Sequence, residues 1–229
     1  MALPSQEPSA NHLGVDVTPF LPDPTSVTGT AGFRAADAEV WRLAVEHLHV
    51  RSNDAHTAYS YGLAAALCDL HPDADRDVVL PAIILHDTGW SRVAADEVLE
   101  AIRPGGGRED LVIRHEKEGA AIAADVLGRL GRDPARTAEV VAIIDGHDSR
   151  LTSLSLDDAL VKDADKLWRL TPHGVETVMD WFGLTREQAH VLIGSRVHDH
   201  LFTDAARTMA RALAAVALID SAPQRTALG

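Results

Sequence analysis

The sequence predicts an all-α fold, a bundle of helices, and three observations carry that expectation. Apolar residues recur at helical spacing, as in Trp41, Ala44, Val45 and Leu48. Residues that start and stop helices punctuate the chain at intervals of one helix length. No alternating apolar–polar run of convincing strand length occurs.

The elements follow in order. A first helix runs from Ala35. A second starts at Asp54 as N-cap and ends at His71-Pro72, because the residue before proline avoids helical geometry. A third, from about Arg76 to His86, is apolar almost all round (Val78 to Leu85), which places it in the middle of a bundle. Pro81 kinks it unless the helix starts late. A variable connection follows Gly89, with a flexible loop at 103–108. Another helix covers about 110–130 and stops at Gly131. The next opens at Asp133-Pro134 and runs into His147. Ser155 starts the helix that holds Asp165. Three further helices are expected over roughly 172–182, 185–196 and 198–221.

Length and composition restrict the function classes. The 229 residues suit one domain, 34–222, preceded by a proline-rich irregular arm, 1–33, and followed by a tail, 223–229. The formal net charge is −13 and no Lys/Arg run is present, which argues against nucleic-acid partners. No apolar run reaches the roughly 18–20 residues of a membrane helix. No signal sequence is visible, and Cys68 has no second cysteine to pair with. A cytoplasmic protein is the expectation.

Six side chains of metal-ligand type fall in a distinctive order: His56, His86-Asp87, His115, His147 and Asp165. The dipeptide His-Asp carries little by itself, since it occurs at 86–87, 147–148 and 198–199. Context carries more. His86-Asp87 and His147 end strongly apolar helices, and Asp165 sits in an apolar frame between Leu160 and Trp168. An unpaired buried charge costs several kcal/mol, so a partner is required there. A divalent cation is a partner suited to imidazoles and carboxylates.

The run Ala-Ile-Ile-Leu-His86-Asp87, with His56 upstream and Asp165 downstream in Asp-Ala-Asp165-Lys-Leu, resembles the HD superfamily of metal-dependent phosphohydrolases over about residues 54–170. The resemblance implies an HD-type helical bundle with its metal site between the central helices. It implies one metal at His56, His86, Asp87 and Asp165, with Asp163 a neighbour or surface group. Members with two metals add two histidines, which His115 and His147 match in order. Asp87 would then bridge an ion held by His56, His86 and Asp165 to an ion held by His115 and His147. The alternative is one ion, with His115 and His147 contacting substrate phosphate. The cofactors implied are divalent ions: Mn, Fe, Co or Mg.

Three functions follow from the resemblance. The first is a phosphohydrolase acting on a nucleotide or phosphate ester through a metal-activated hydroxide, with Asp87 at the centre and Arg150 and Lys166 holding the anionic substrate. The second is a mixed-valent di-iron oxygenase acting on a hydroxylated phosphonate or polyol. The third is a non-catalytic metal-binding HD domain. Glu116 and Glu118 read as carboxylates facing a helix dipole. His198, Asp199 and His200 read as cap or surface groups. Specificity is expected from the connection at 88–110 and the helices after Trp168. The apolar C-terminal helix is compatible with a homodimer.

Overall fold

The helix expected at the centre is there. In the computed structural model, which describes residues 14–23, 26 and 32–220, every residue from Val78 to Leu85 is buried. This helix packs against neighbours on all sides. Each fully buried Val, Leu or Ile contributes roughly 1.5–3 kcal/mol, so this segment anchors the core.

The chain divides into two units, residues 1–34 and 35–229. Most of the arm expected over 1–33, and all of the tail at 223–229, lie outside the described residues. In the first unit, Thr18–Phe20 form a 3-10 turn, with Asp16 accepting a hydrogen bond from the Thr18 amide at 2.9 Å.

The second unit is helical throughout, with no strand among the described residues. Its helices are α1 (Ala35–Ala44), α2 (Asn53–Leu70), α3 (Arg76–Leu85), α4 (Ala95–Ile102) and α5 (Glu109–Arg129). They continue with α6 (Pro134–Ile144), α7 (Leu156–Trp168), α8 (Pro172–Phe182), α9 (Arg186–Val197) and α10 (Asp204–Asp220). The helix α3 lies against α1, α2, α5, α6 and α7, and α2 lies against α7. No helix among the described residues is long and apolar enough to cross a membrane.

Caps explain several starts. Asp133 accepts from the amides of Ala135 and Arg136, Ser155 from Asp158, and Thr171 from Gly174. Thr185 and Gln188 form a reciprocal capping box at the start of α9. Gly131, at φ 63°, occupies the left-handed position after α5.

Four boundaries differ from expectation. First, α2 begins at Asn53, and Asp54 lies in its first turn rather than at the N-cap. Arg51 and Ser52 precede it with φ of 54° and 58°. A tight return satisfies the exposed amides, with Asn53 N–H donating to Val50 O and Asp54 N–H to Leu48 O. Second, the connection after Gly89 contains a 3-10 turn at Thr88–Arg92 and then α4. Trp90, Val93, Val98, Ala101 and Leu111 form the small apolar cluster that holds α4 to α5. Third, α6 stops at Ile144, so His147 stands in the following turn. Fourth, the last helix starts at Asp204, after a 3-10 turn at His198–His200.

Candidate metal centre

Three helices and two helix ends deliver the six side chains. His56 projects from the first turns of α2, His115 from the middle of α5 and Asp165 from α7. His86 caps α3 and Asp87 follows it. His86 and His147 use the same local device. Each donates Nδ1–H to the carbonyl three residues back, Ile83 O at 2.8 Å and Ile144 O at 2.9 Å. That bond fixes the tautomer of the neutral ring, so that each Nε2 faces the interior and offers its lone pair there once no proton occupies it. Gly146, at φ 113°, makes the turn that brings His147 round.

The ligand atoms converge. His56 Nε2 and His86 Nε2 are 3.0 Å apart, and Asp165 Oδ1 lies 3.4 and 3.7 Å from them. His115 Nε2 and His147 Nε2 are 3.4 Å apart. Asp87 lies between the two groups. Its Oδ2 is 3.4 Å from His56, and its Oδ1 is 3.7, 3.8 and 3.6 Å from His86, His115 and His147. Most of these separations are too long for hydrogen bonds. They are close to the corner-to-corner distances of a coordination shell with bonds of about 2.1 Å.

The surroundings support the same fit. All six residues are buried, none more than 7% exposed. The Nδ1 atoms of His56 and His115 have no hydrogen-bond partner among the described residues. Outer groups hold the inner ones. Trp90 donates its indole N–H to Asp87 Oδ1 at 3.0 Å and stacks on His115 with centroids 3.8 Å apart. Trp168 meets His56 edge-on at 4.4 Å. Arg169 lies 3.4 Å from Asp165 Oδ2.

Charge in this cluster calls for a cation. Burial pushes the Asp87 carboxyl up, but the imidazoles of His86, His147, His56 and His115 outweigh it and hold it well below the usual range. Asp165 is likewise held well below that range, against burial, by Arg169 and the imidazoles of His86 and His56. Burial lowers His56 and His115 to about 4, so both are neutral at pH 7. Burial opposes charging His147 too, yet Asp148 and Asp87 raise it to about 9. Asp148 and Asp87 thus draw a proton onto His147, and a metal ion would take that proton's place.

Two cavities open here. One, of about 30 Å³, is lined by residues including Arg51, Asn53, Trp90 and Trp181 as well as Asp87. Arg51 lies over both Trp90 and Trp181, with its guanidinium 4.9 Å from each ring. The other cavity, of about 320 Å³, is lined by Asp148, Asp165, Lys166, Arg169, Arg196 and His200. The polar His198–His200 segment thus touches the site at one end, through His200.

The cations chosen from sequence fare differently. Lys166 stands on the larger cavity, with Nζ 3.3 Å from Lys162 O. Arg150 lines neither cavity. It bonds the carbonyl of Asp145 at 2.8 Å and pairs with buried Asp158 at 3.2 Å, bracing the turn behind His147. Asp163 is buried away from the cluster and accepts from the amides of Phe202 and Thr203. Glu116 does not face a helix dipole, since α5 starts at Glu109 and Glu116 lies inside it. It is 2% exposed and binds the 148–149 backbone.

Sequence reasoning missed Asp148, Glu116, Arg51 and Arg169. Arg169 was recoverable, one helical turn after Asp165. Asp148 was visible but discounted as part of a chance dipeptide. Nothing local in the sequence marked Arg51, whose placement depends on its left-handed backbone.

The HD domain family model matches residues 53–170. Among solved structures, the crystal structure of a predicted HD superfamily hydrolase from an uncultured Thermotogales bacterium matches with a TM-score of 0.57. It is 19% identical, over 84% of this chain and 92% of that one, a likeness of fold. No curated protein matches.

Proposed function

The chain belongs to the HD domain family, and from that premise we propose that it is a metal-dependent phosphohydrolase acting on a small phosphorylated substrate, a nucleotide or phosphate ester. One observation carries the reading. Asp87 lies within 4 Å of imidazoles from both halves of the cluster, beside a cavity where Lys166, Arg169 and Arg196 join Asp148 and Asp165, a local concentration of cations in a chain of net charge −13. Such a concentration attracts an anion that the overall charge would repel.

His56, His86 and Asp165 would hold one ion, His115 and His147 a second, with Asp87 between them. The ions, when bound, supply an activated water and neutralise charge on the phosphoryl oxygens. The protein's own groups do the rest. Lys166 and Arg169 orient the substrate's anionic oxygens. The bonds from His86 and His147 to Ile83 and Ile144 keep each Nε2 lone pair aimed inward. Trp90 and Trp168 exclude water from the buried side.

A screen of nucleotides and phosphate esters with Mn, Co and Mg tests this. The expected result is turnover with at least one metal, abolished in Asp87→Ala with the fold checked by circular dichroism. No turnover with any metal refutes the hydrolase. Oxygen uptake under ferrous iron with a hydroxyphosphonate or polyol would instead assign the oxygenase.

A further inference from the structure

We infer that Asp148 is a seventh metal-binding side chain, so that the centre is two matched sites, each of two imidazoles and one terminal carboxylate, with Asp87 between them. This rests on the reading of the cluster as a metal centre, and adds a residue that the family resemblance does not supply.

The distances in the two halves are alike, although Asp165 is buried and Asp148 lies at the solvent-exposed edge of the centre. Asp165 Oδ1 stands 3.4 and 3.7 Å from the Nε2 atoms of His56 and His86. Asp148 Oδ2 stands 3.6 and 3.8 Å from those of His115 and His147. These imidazoles are its only ion-pair partners within 4.0 Å among the described residues, and no N–H or O–H there donates to its carboxylate. A carboxylate at this position with no donor has its lone pairs available to a cation.

The backbone around it is built to hold that pose. The amides of Asp148 and Ser149 donate to Glu116 Oε1 at 2.8 and 2.7 Å, and Ser149 Oγ donates to Glu116 Oε2 at 2.7 Å. Glu116 follows His115 on α5, so one buried carboxylate locks the turn carrying Asp148 to the helix carrying its partner imidazole. Glu116 is therefore a positioning residue. Three carboxylates facing two divalent cations leave one net positive charge, which suits an anionic substrate entering from the larger cavity.

The test is a cobalt(II) titration of metal-free protein by calorimetry and visible absorption, with metal content measured after gel filtration. Wild type should bind two equivalents. Asp148→Ala should keep one and lose the second, or hold it more weakly by at least the roughly 10–100-fold that loss of an outer partner costs. Asp199→Asn, on the exposed 3-10 turn, should match wild type. If Asp148→Ala fails to fold, Asp148→Asn, with the same shape and no charge, supplies the measurement. Two equivalents at unchanged affinity in the variant overturn the inference, as does a single equivalent in wild type that the variant retains. No cobalt binding by wild type overturns the metal-centre reading itself, and is seen before any variant is made.

Discussion

Gly89→Ala isolates the contact that brings the two halves of the centre together. A Cβ at Gly89 would stand 1.9 Å from the carbonyl oxygen of His115 and 2.5 Å from the amide nitrogen of Gly119. Both atoms are backbone of α5, so no side-chain rotation relieves the clash. Ordinary contact begins near 3.4 Å, and the turn or the helix must move by about 1.5 Å to reach it. That motion separates Asp87, two residues before the glycine, from His115, whose own carbonyl is struck. Ordinary overpacking costs about 1–3 kcal/mol, and a backbone-on-backbone clash belongs at the upper end, about 3 kcal/mol. Gly62→Ala is the matched control. It lies on the exposed side of α2 with nothing within 4 Å of the added carbon, and should stabilise by about 0.5–1 kcal/mol. Urea denaturation of the metal-free proteins gives both numbers, and metal content after reconstitution reads the centre. A Gly89→Ala protein with wild-type stability and full metal would refute the close seating of residues 88–92 on α5.

The metal-free protein should be most stable near pH 6.5. Asp148 and Asp87 raise His147 to about 9 against burial, so its contribution is complete below the unfolded value of 6.5 and is lost as pH rises through about 9. Burial lowers His56 and His115 to about 4, so stability also falls as pH drops from 6.5 towards 4; a denaturation series in chelator that rises steadily from pH 5 to 9 contradicts this. Trp90→Phe keeps the ring against His115 but removes the bond to Asp87 Oδ1, and metal affinity measured by titration should fall roughly 10–100-fold. Asp163→Ala leaves the Phe202 and Thr203 amides without their acceptor, so it should cost about 3 kcal/mol in denaturation while metal stoichiometry stays at the wild-type value.

Much of the architecture was legible because it is written in local chemistry. The apolar run from Val78 to Leu85 marks a segment buried on every face, and the caps at Asp133 and Ser155 mark their helices without tertiary help. The helix α4 was overlooked because its buried face is only Val98 and Ala101. It is held by Trp90 and Leu111, which come from elsewhere in the chain.

Periodicity and residue type act at short range, and they were enough for the helical class and for the order of six metal-ligand-type side chains. Long-range packing alone puts Asp87 between two groups, brings Asp148 to the second, and turns Arg150 to brace a turn rather than face the cavity. Those outcomes depend on where side chains from separate helices end up within 4 Å of one another. Such distances are set by packing α5 and the turns at 86–90 and 145–149 against a shared core, and no window of neighbouring residues contains them.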